Sequence, residues 1–188
     1  MQAVVYSFCY DLAMALFFIT GSAGTGKSTV CQALKQIGHE AYDTDTDGLA
    51  KWTNLQTGYI HPKSSVKKAD RTPEFLNTHG WHVSRQDIEQ LSANANSQTT
   101  FLCGLVDNLD ELIDLFDGIF ALYIDKETLR HRLANRTDND WGTQKHELQR
   151  TLAGHRTLYD EFRKLNAIII DASKPISEVT TDILTHTH

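Results

Sequence analysis

The chain has 188 residues, of which 40% are hydrophobic and 22% are charged. This length allows one well-buried domain and is short for two, and the composition is typical of a soluble globular protein. A formal net charge of −6 argues against a general binder of nucleic acids or membrane surfaces. Cys9, Cys31 and Cys103 are widely spaced. That spacing favours free, buried thiols in a reducing cytosol over a zinc site or a disulfide framework.

The first 13 residues are predicted to stand apart from the rest. They are mildly apolar, but they lack a basic region and carry Asp11 inside the apolar stretch. They would make a poor signal peptide and are too short to span a membrane. Met14 directly precedes the first predicted strand. We therefore expect residues 1–13 to be an N-terminal extension or an upstream start, and residues 14–188 to form one domain in the cytoplasm.

A nine-residue motif, Gly21–Thr29, organises the chain. It has the sequence GSAGTGKST, which fits the pattern G-x-x-x-x-G-K-[ST]. The apolar run Ala15–Thr20 predicts a buried strand before it, and Val30, Leu34 and Ile37 predict a helix after it. A strand, this loop and a helix in that order predict a site for a polyphosphate.

The residue types in this loop suit a nucleotide. Glycines let successive N–H groups point inward, and the helix adds the positive end of its dipole. Lys27 can reach the β- and γ-phosphates, and the Ser28 hydroxyl can bind Mg²⁺. The predicted nucleotide-binding residues are Gly21, Ser22, Ala23, Gly24, Thr25, Gly26, Lys27, Ser28 and Thr29.

An acidic run follows the second predicted strand, Glu40–Tyr42. Asp43, Asp45 and Asp47 alternate, and on an extended chain their charges would repel one another on one side. One explanation is a solvated turn in which aspartates bond their own backbone. The other places one or more of them near Mg²⁺ or an acceptor hydroxyl, and we favour it because the run follows a phosphate-binding loop and a strand.

The segment 49–98 is polar, with no convincing strand and with helices predicted at Glu74–Thr78 and about 85–95. Such an insertion is expected to cap the acceptor. Trp52 and Trp81 either stack on a ring of the acceptor or close a small core. The basic residues of this segment suit a phosphate or, alternatively, a solvated face. They are Lys63, Lys67, Lys68 and Arg71.

Thr99–Cys103 is the predicted third strand. Gly104, at its carboxyl end, allows close backbone approach where ligands bind in doubly wound sheets. Asp107 and Asn108 precede a predicted helix, so each is either a helix cap or a site residue.

A lid is predicted after the fourth strand, Gly118–Ile124. Asp125 is expected to cap the next helix, on which Arg132 and Arg136 share a face. Arginines that lead into a polar, glycine-containing loop suit a lid over about residues 136–145, because guanidinium groups stabilise charge on a transferred phosphate.

The last elements complete an alternating pattern. Gln144–Lys164 is a predicted long helix, from which Arg156 could reach the acceptor. A fifth strand, Ala167–Asp171, and a final helix with Pro175 in its first turn follow. Alternating strands and helices predict an α/β fold with a parallel sheet covered on both faces.

With these motifs in place, the chain resembles the P-loop small-molecule kinases, the group of nucleoside monophosphate kinases and shikimate kinase. The resemblance covers about residues 15–184. It rests on GSAGTGKS, on YDTD at Tyr42–Asp45, on the arginine-bearing lid and on HRTLYDEF at His155–Phe162. It implies a three-layer αβα sandwich with sheet order 2-3-1-4-5, a helical acceptor-binding insertion and a lid.

The resemblance also implies roles. By similarity to shikimate kinase, Asp43 lies near Mg²⁺, Asp45 contacts the acceptor and Arg156 binds an acceptor carboxylate. Where that family has three glycines, this chain has only Gly104.

The combined prediction is an ATP- and Mg²⁺-dependent kinase with a small-molecule acceptor. The expected catalytic residues are Lys27, Asp43, Asp45, Arg132 and Arg136; Ser28 and Asp43 hold Mg²⁺, and Asp45, Gly104 and Arg156 bind the acceptor. We expect a nucleoside or nucleoside monophosphate as acceptor, with a shikimate-like hydroxy acid as the alternative. An ATP-binding switch protein without catalysis is a rival. We expect no nucleic-acid or membrane partner, and a monomer or homodimer.

Overall fold

The computed structural model describes residues 15–93, 99–137 and 139–187. The strands are β1 (Ala15–Thr20), β2 (Glu40–Asp43), β3 (Lys51–Asn54), β4 (His79–His82), β5 (Thr99–Cys103), β6 (Gly118–Tyr123) and β7 (Ile168–Asp171). The helices are α1 (Lys27–Gln36), α2 (Pro73–Thr78), α3 (Arg85–Ala93), α4 (Lys126–Asn135), α5 (Lys145–Lys164) and α6 (Ile176–Leu184). The predicted extension at residues 1–13 lies outside the described residues.

Five parallel strands form the central sheet in the order β2-β5-β1-β6-β7. Counted within this sheet alone, that order is 2-3-1-4-5, which confirms the predicted topology. The central strand β1 is buried on both faces, because its side chains alternate between two cores. Phe17 and Ile19 pack with α1, α4 and α6, whereas Leu16 and Phe18 pack with α3 and α5.

The insertion differs from the prediction, because it is only partly helical. β3 and β4 form a separate two-stranded antiparallel sheet in which Trp52 faces Trp81. Each strand has only four residues, and most of their side chains are half-buried. Neither strand therefore carries the apolar alternation by which a strand is recognised in sequence.

The segment between β5 and β6 differs from the prediction. In place of the helix after Asn108 there are two short 3₁₀ turns, Leu109–Glu111 and Ile113–Leu115. The Asn108 side chain does not cap them; it bonds the backbone N–H and carbonyl of Val83 at 3.3 and 3.0 Å.

Asp125 caps α4, because its side chain accepts from two backbone N–H groups, and this confirms the predicted cap.

Candidate active site

A cavity of about 1130 Å³ opens at the carboxyl end of the central sheet. Its walls come from the Gly21–Thr29 loop, the insertion, the segment after α4, helix α5 and the loop after β7. Loops at the carboxyl ends of parallel strands are where α/β proteins bind ligands. The predicted site residues that line it include Lys27 and Ser28 of the loop and, from other segments of the chain, Asp45, Arg132 and Arg136.

The loop has the backbone conformation that its glycines permit. Gly21, Gly24 and Gly26 have φ values of 143°, 92° and 101°, in the region that disfavours residues with a side chain. A Cβ at Gly21 would also lie 2.6 Å from the Leu122 carbonyl oxygen. Glycine at this position therefore allows the loop to lie directly against β6.

The Lys27 side chain folds back onto the loop. Its Nζ donates to the carbonyl oxygens of Gly21 and Ser22 at 2.9 and 3.0 Å. Burial lowers the pKa of Lys27 to about 8; the carboxylate of Asp45 opposes this shift, whereas the positive charge of Arg136 adds to it. The negative charge of a polyphosphate in this cavity would favour the protonated form of the lysine.

Helix α5 supports the loop from behind. The Ser22 hydroxyl lies 2.9 Å from His155 Nδ1, and His155 Nε2 donates to the Ile124 carbonyl at 2.9 Å. The Tyr159 hydroxyl accepts from the Ser22 backbone N–H at 3.4 Å and donates to the Leu122 carbonyl. Sequence reasoning missed the role of His155, because a histidine in a helix carries no local signal of a partner 133 residues away.

The acidic run forms a turn, not an extended strand end. Asp43 is buried, and its Oδ1 accepts from the backbone N–H groups of Asp45 and Thr46, both at 3.0 Å. Asp47 Oδ2 accepts from the Asp43 backbone N–H at 2.8 Å and pairs with Lys35 at 3.6 Å, so Asp43 and Asp47 bond the backbone of the run itself, as the turn alternative predicted. The expectation that the three acids share one side is therefore wrong, and of the three Asp45 alone lines the cavity.

The two lid arginines reach the cavity by different routes. Arg132, in the last turn of α4, donates to the carbonyl oxygens of Thr25 and Ala172 at 3.3 and 3.1 Å. Arg136 lies just beyond the end of α4, so the two do not share a helix face as predicted. It is nevertheless close enough to Lys27 to lower the pKa of that lysine. Both side chains line the cavity wall.

The insertion and the lid segment meet at a charged seam. Arg71 donates from both terminal nitrogens to Asp140 at 3.0 and 2.9 Å. Its Nε lies 2.9 Å from the fully buried Glu147 carboxylate, in a geometry that makes an ion pair without an aligned hydrogen bond. Glu147 also accepts from the Gly142 N–H at 2.9 Å. Of the predicted basic cluster, Arg71 thus joins the lid to the insertion.

Two residues predicted to bind the acceptor, Gly104 and Arg156, do not line the cavity. A Cβ added to Gly104 would lie 2.1 Å from Thr44 Oγ1, so the space at this glycine is filled by a protein side chain. Arg156 is exposed and does not line the cavity. On α5 it lies nearly opposite Gly154 and Leu158, which do line the cavity, because the helix turns by about 100° per residue and each is two residues from Arg156.

The sequence left two roles open for Asp107, a helix cap or a residue of the site. Its carboxylate accepts from the Trp81 N–H at 2.7 Å, and its N–H donates to the Trp81 carbonyl at 2.8 Å. Asp107 also lines the cavity. Its observed contacts fix β4 beside the end of β5, and none of them caps a helix.

Metal-binding groups within the described residues are few. No cluster of three or more His, Cys, Asp or Glu side chains there is arranged to hold a metal ion. Mg²⁺ at phosphate-transfer sites keeps several waters and takes further oxygens from the phosphates, so one or two protein ligands suffice. Ser28 lines the cavity, and its hydroxyl would be one such ligand. Asp43 is 5% exposed and would act through water.

The topology, the glycine loop and the cavity together define the fold of the P-loop small-molecule kinases. Solved structures agree over nearly the whole chain. A shikimate kinase from Bacteroides thetaiotaomicron is 16% identical, with a TM-score of 0.59 over 92% of this chain and 98% of the other. A shikimate kinase from Acinetobacter baumannii in complex with shikimate is 15% identical, with a TM-score of 0.57 over 92% of each. A gluconokinase from Sinorhizobium meliloti is 18% identical, with a TM-score of 0.51 over 93% and 98%.

Matches in sequence are much shorter. The interferon-inducible GTPase family matches residues 10–67, a stretch that includes the phosphate-binding loop. Mouse interferon-gamma-inducible GTPase 10 is 42% identical over 45 residues, which are 24% of this chain and 11% of that protein. The chain thus spans about a tenth of the curated relative it matches, and the likeness is confined to a segment. Over the described residues, no helix combines the length and apolarity needed to cross a membrane.

Proposed function

We propose that this protein is an ATP- and Mg²⁺-dependent kinase that transfers the γ-phosphoryl group to a hydroxyl of a small metabolite. The observation that carries the proposal is the shared cavity: the phosphate-binding loop, Asp45 and the arginines Arg132 and Arg136 all face it. A site that only binds a nucleotide needs the loop. The carboxylate and the two arginines add what transfer requires, namely orientation of an acceptor and stabilisation of charge.

Each residue has a role that follows from its position. Lys27 and the loop N–H groups hold the β- and γ-phosphates, and Ser28, with Asp43 acting through water, holds Mg²⁺. When bound, the metal neutralises charge on those phosphates. Asp45 accepts a hydrogen bond from the acceptor hydroxyl, and Arg136 faces the transferred group beside Lys27. Arg132, bound to the Thr25 and Ala172 carbonyls, closes the nucleotide side.

Two classes of acceptor remain as candidates. The names of the structural neighbours, shikimate kinase and gluconokinase, favour a small hydroxy acid. Arg150 lines the cavity and donates to the neutral Asn77 amide, which would give a carboxylate a cation to bind. A nucleoside or nucleoside monophosphate is the second candidate, and it is favoured by the aromatic residues of the cavity.

The test is ADP release across nucleosides, nucleoside monophosphates, shikimate and gluconate, with ATP and MgCl₂. We expect turnover with one class, its loss in Lys27→Ala and its loss on chelation of the metal. Lys35→Ala is the matched control, because Lys35 lies on the same helix, is exposed and pairs only loosely with Asp47. Nucleotide binding without phosphorylation of any compound would favour the rival, a switch protein.

A further inference from the structure

The chain contains three tryptophans, and all three line the one cavity. Trp52 and Trp81 come from opposite strands of the β3–β4 sheet, with ring centroids 5.1 Å apart. Trp141 comes from the lid segment, and its centroid is 6.3 Å from that of Trp52. Together they form a continuous aromatic surface, the tryptophan wall, which is built by both sides of the seam.

The wall is held firmly and yet is not buried. The Trp141 indole N–H donates to Thr151 Oγ1 at 3.2 Å, and its backbone N–H donates to Asn139 at 2.7 Å. Trp52 packs edge-on against Phe75 at 5.3 Å. All three tryptophans are half-buried, so part of each ring faces the cavity. Aromatic surface kept open in a cavity and fixed by hydrogen bonds is suited to binding an apolar ring face.

The wall also leads directly to the proposed acceptor-orienting carboxylate. The Trp81 indole N–H donates to Asp45 Oδ1 at 2.9 Å. Burial lowers the pKa of Lys27, and Asp45 is close enough to that lysine to oppose the shift. A ring lying on Trp81 would therefore carry its substituents next to Asp45, on the side that faces the phosphate-binding loop.

We propose that the acceptor carries a flat, aromatic ring that stacks on the tryptophan wall, as a nucleoside base does, with its hydroxyl directed to Asp45. This inference rests on the proposed kinase function and selects between its acceptor classes. Trp52 and Trp141 already contact each other, so the ring adds to the open side of the wall and does not enter between them. Gluconate is acyclic and the ring of shikimate is puckered and not aromatic, so neither hydroxy acid offers a flat aromatic face to this surface.

Intrinsic fluorescence tests the wall directly, because every tryptophan of the chain belongs to it. The probes are adenosine, thymidine, shikimate and gluconate, each titrated with and without ADP. We expect a nucleoside to quench the emission saturably and gluconate to leave it unchanged. Quenching by gluconate or shikimate but by neither nucleoside would overturn the proposal.

Variants then separate stacking from folding. Trp52→Ala should raise the KM of the nucleoside about ten- to a hundredfold, which matches the loss of one stacking contact, without changing the KM of ATP. Trp52→Phe should restore most of the affinity. Trp81→Phe keeps a ring but removes the bond to Asp45, so it should lower kcat more than it raises KM. Tyr59→Ala, an exposed aromatic of the same insertion, is the matched control.

The outcomes distinguish this inference from the proposed function. In one outcome, turnover is lost in Lys27→Ala, but the KM of the acceptor is the same in Trp52→Ala and in Tyr59→Ala. This outcome would reject stacking on the tryptophan wall and leave the proposed kinase function standing. Saturable quenching by a nucleoside without phosphoryl transfer to any compound would reject the proposed kinase function and leave stacking on the tryptophan wall standing. Because ADP affinity is measured on the same variants, a Trp52→Ala protein that had lost its fold would be recognised, and Trp52→Phe would then decide.

Discussion

The imidazole of His155 contacts the Ser22 hydroxyl at 2.9 Å and connects the helix that follows the lid to the phosphate-binding loop. Since the Ile124 carbonyl can only accept, His155 Nε2 carries a proton, and in the neutral ring Nδ1 accepts from Ser22. The carbonyl of the same serine accepts from Lys27 and from the Thr25 hydroxyl. The buried His155 thus holds Ser22 in place, and Ser22 is the residue whose carbonyl accepts from Lys27.

His155→Ala is expected to weaken nucleotide binding because it leaves the Ser22 hydroxyl and the Ile124 carbonyl without their observed partner. The KM of ATP and the Kd of ADP should rise several-fold, while the KM of the acceptor changes little. Steady-state kinetics with both substrates varied measures this difference. Arg163→Ala, an exposed position on the same helix, is the control. Equal losses for both substrates would indicate general misfolding and contradict the prediction.

The depressed pKa of Lys27 predicts a pH dependence of nucleotide binding. Above about pH 8 the free protein loses the lysine proton that the phosphates need, so binding of ADP must take up a proton. We expect the Kd of ADP to rise above about pH 8, by at most about tenfold per pH unit. Calorimetry in buffers of different ionisation enthalpy measures the uptake, and Lys27→Arg should flatten the profile. A wild-type Kd that stays constant from pH 7 to pH 9.5 would contradict this prediction.

The same shift affects the free energy of unfolding, with a sign that follows from proton binding. The folded pKa of Lys27 lies below the unfolded value of 10.5, so between about pH 8 and 10.5 the unfolded chain binds more protons. The Lys27 contribution therefore makes the ligand-free protein more stable as pH rises through this window. Comparing urea denaturation of wild type and Lys27→Met across the window isolates the contribution, which should be absent in the variant.

Glu147→Gln is expected to weaken the seam between the insertion and the lid. Removing one partner of a buried ion pair costs about 3 kcal/mol, although Asp140 still compensates Arg71 in this variant. The free energy of unfolding should fall by about that amount or less, and limited proteolysis within residues 136–145 should become faster. Asp160→Asn, which removes an exposed ion pair on the same helix, should change neither.

Gly104→Ala should destabilise the fold because the added methyl group has no space. Its Cβ would lie 2.1 Å from Thr44 Oγ1 and 2.5 Å from Thr44 Cγ2. Overpacking of this kind costs about 1–3 kcal/mol in the free energy of unfolding. The double variant with Thr44→Ala removes both atoms and should recover part of the loss in urea denaturation. A fully stable single variant would show that Thr44 moves aside freely.

The sequence was sufficient to predict the central sheet and the donor half of the site. Continuous apolar strands such as Gly118–Tyr123 and the glycine–lysine motif are local patterns, and each carries its own structural meaning. The cap at Asp125 belongs to the same category, because its partners lie two and three residues away.

The acceptor half could not be predicted to the same extent, because its contacts join distant segments. Arg71 and Asp140 are 69 residues apart, and Asp45 and Trp81 are 36 apart. The interpretation of Arg156 depended on the helix face, and a helix of 20 residues presents every direction. The choice between a cap and a site role for Asp107 was likewise decided by β4, whose short strand pairing has no strong sequence pattern.

The β3–β4 sheet shares no strand with the central sheet, although it carries two of the three tryptophans. Substitutions on its cavity face change the surface offered to an acceptor without disturbing the pairing of β1, which positions the phosphate-binding loop. Under the proposed function, phosphoryl transfer and the choice of acceptor would thus depend on separate sheets. A change of acceptor could evolve within a few dozen residues of the insertion, while the phosphate-transferring half remained as it is.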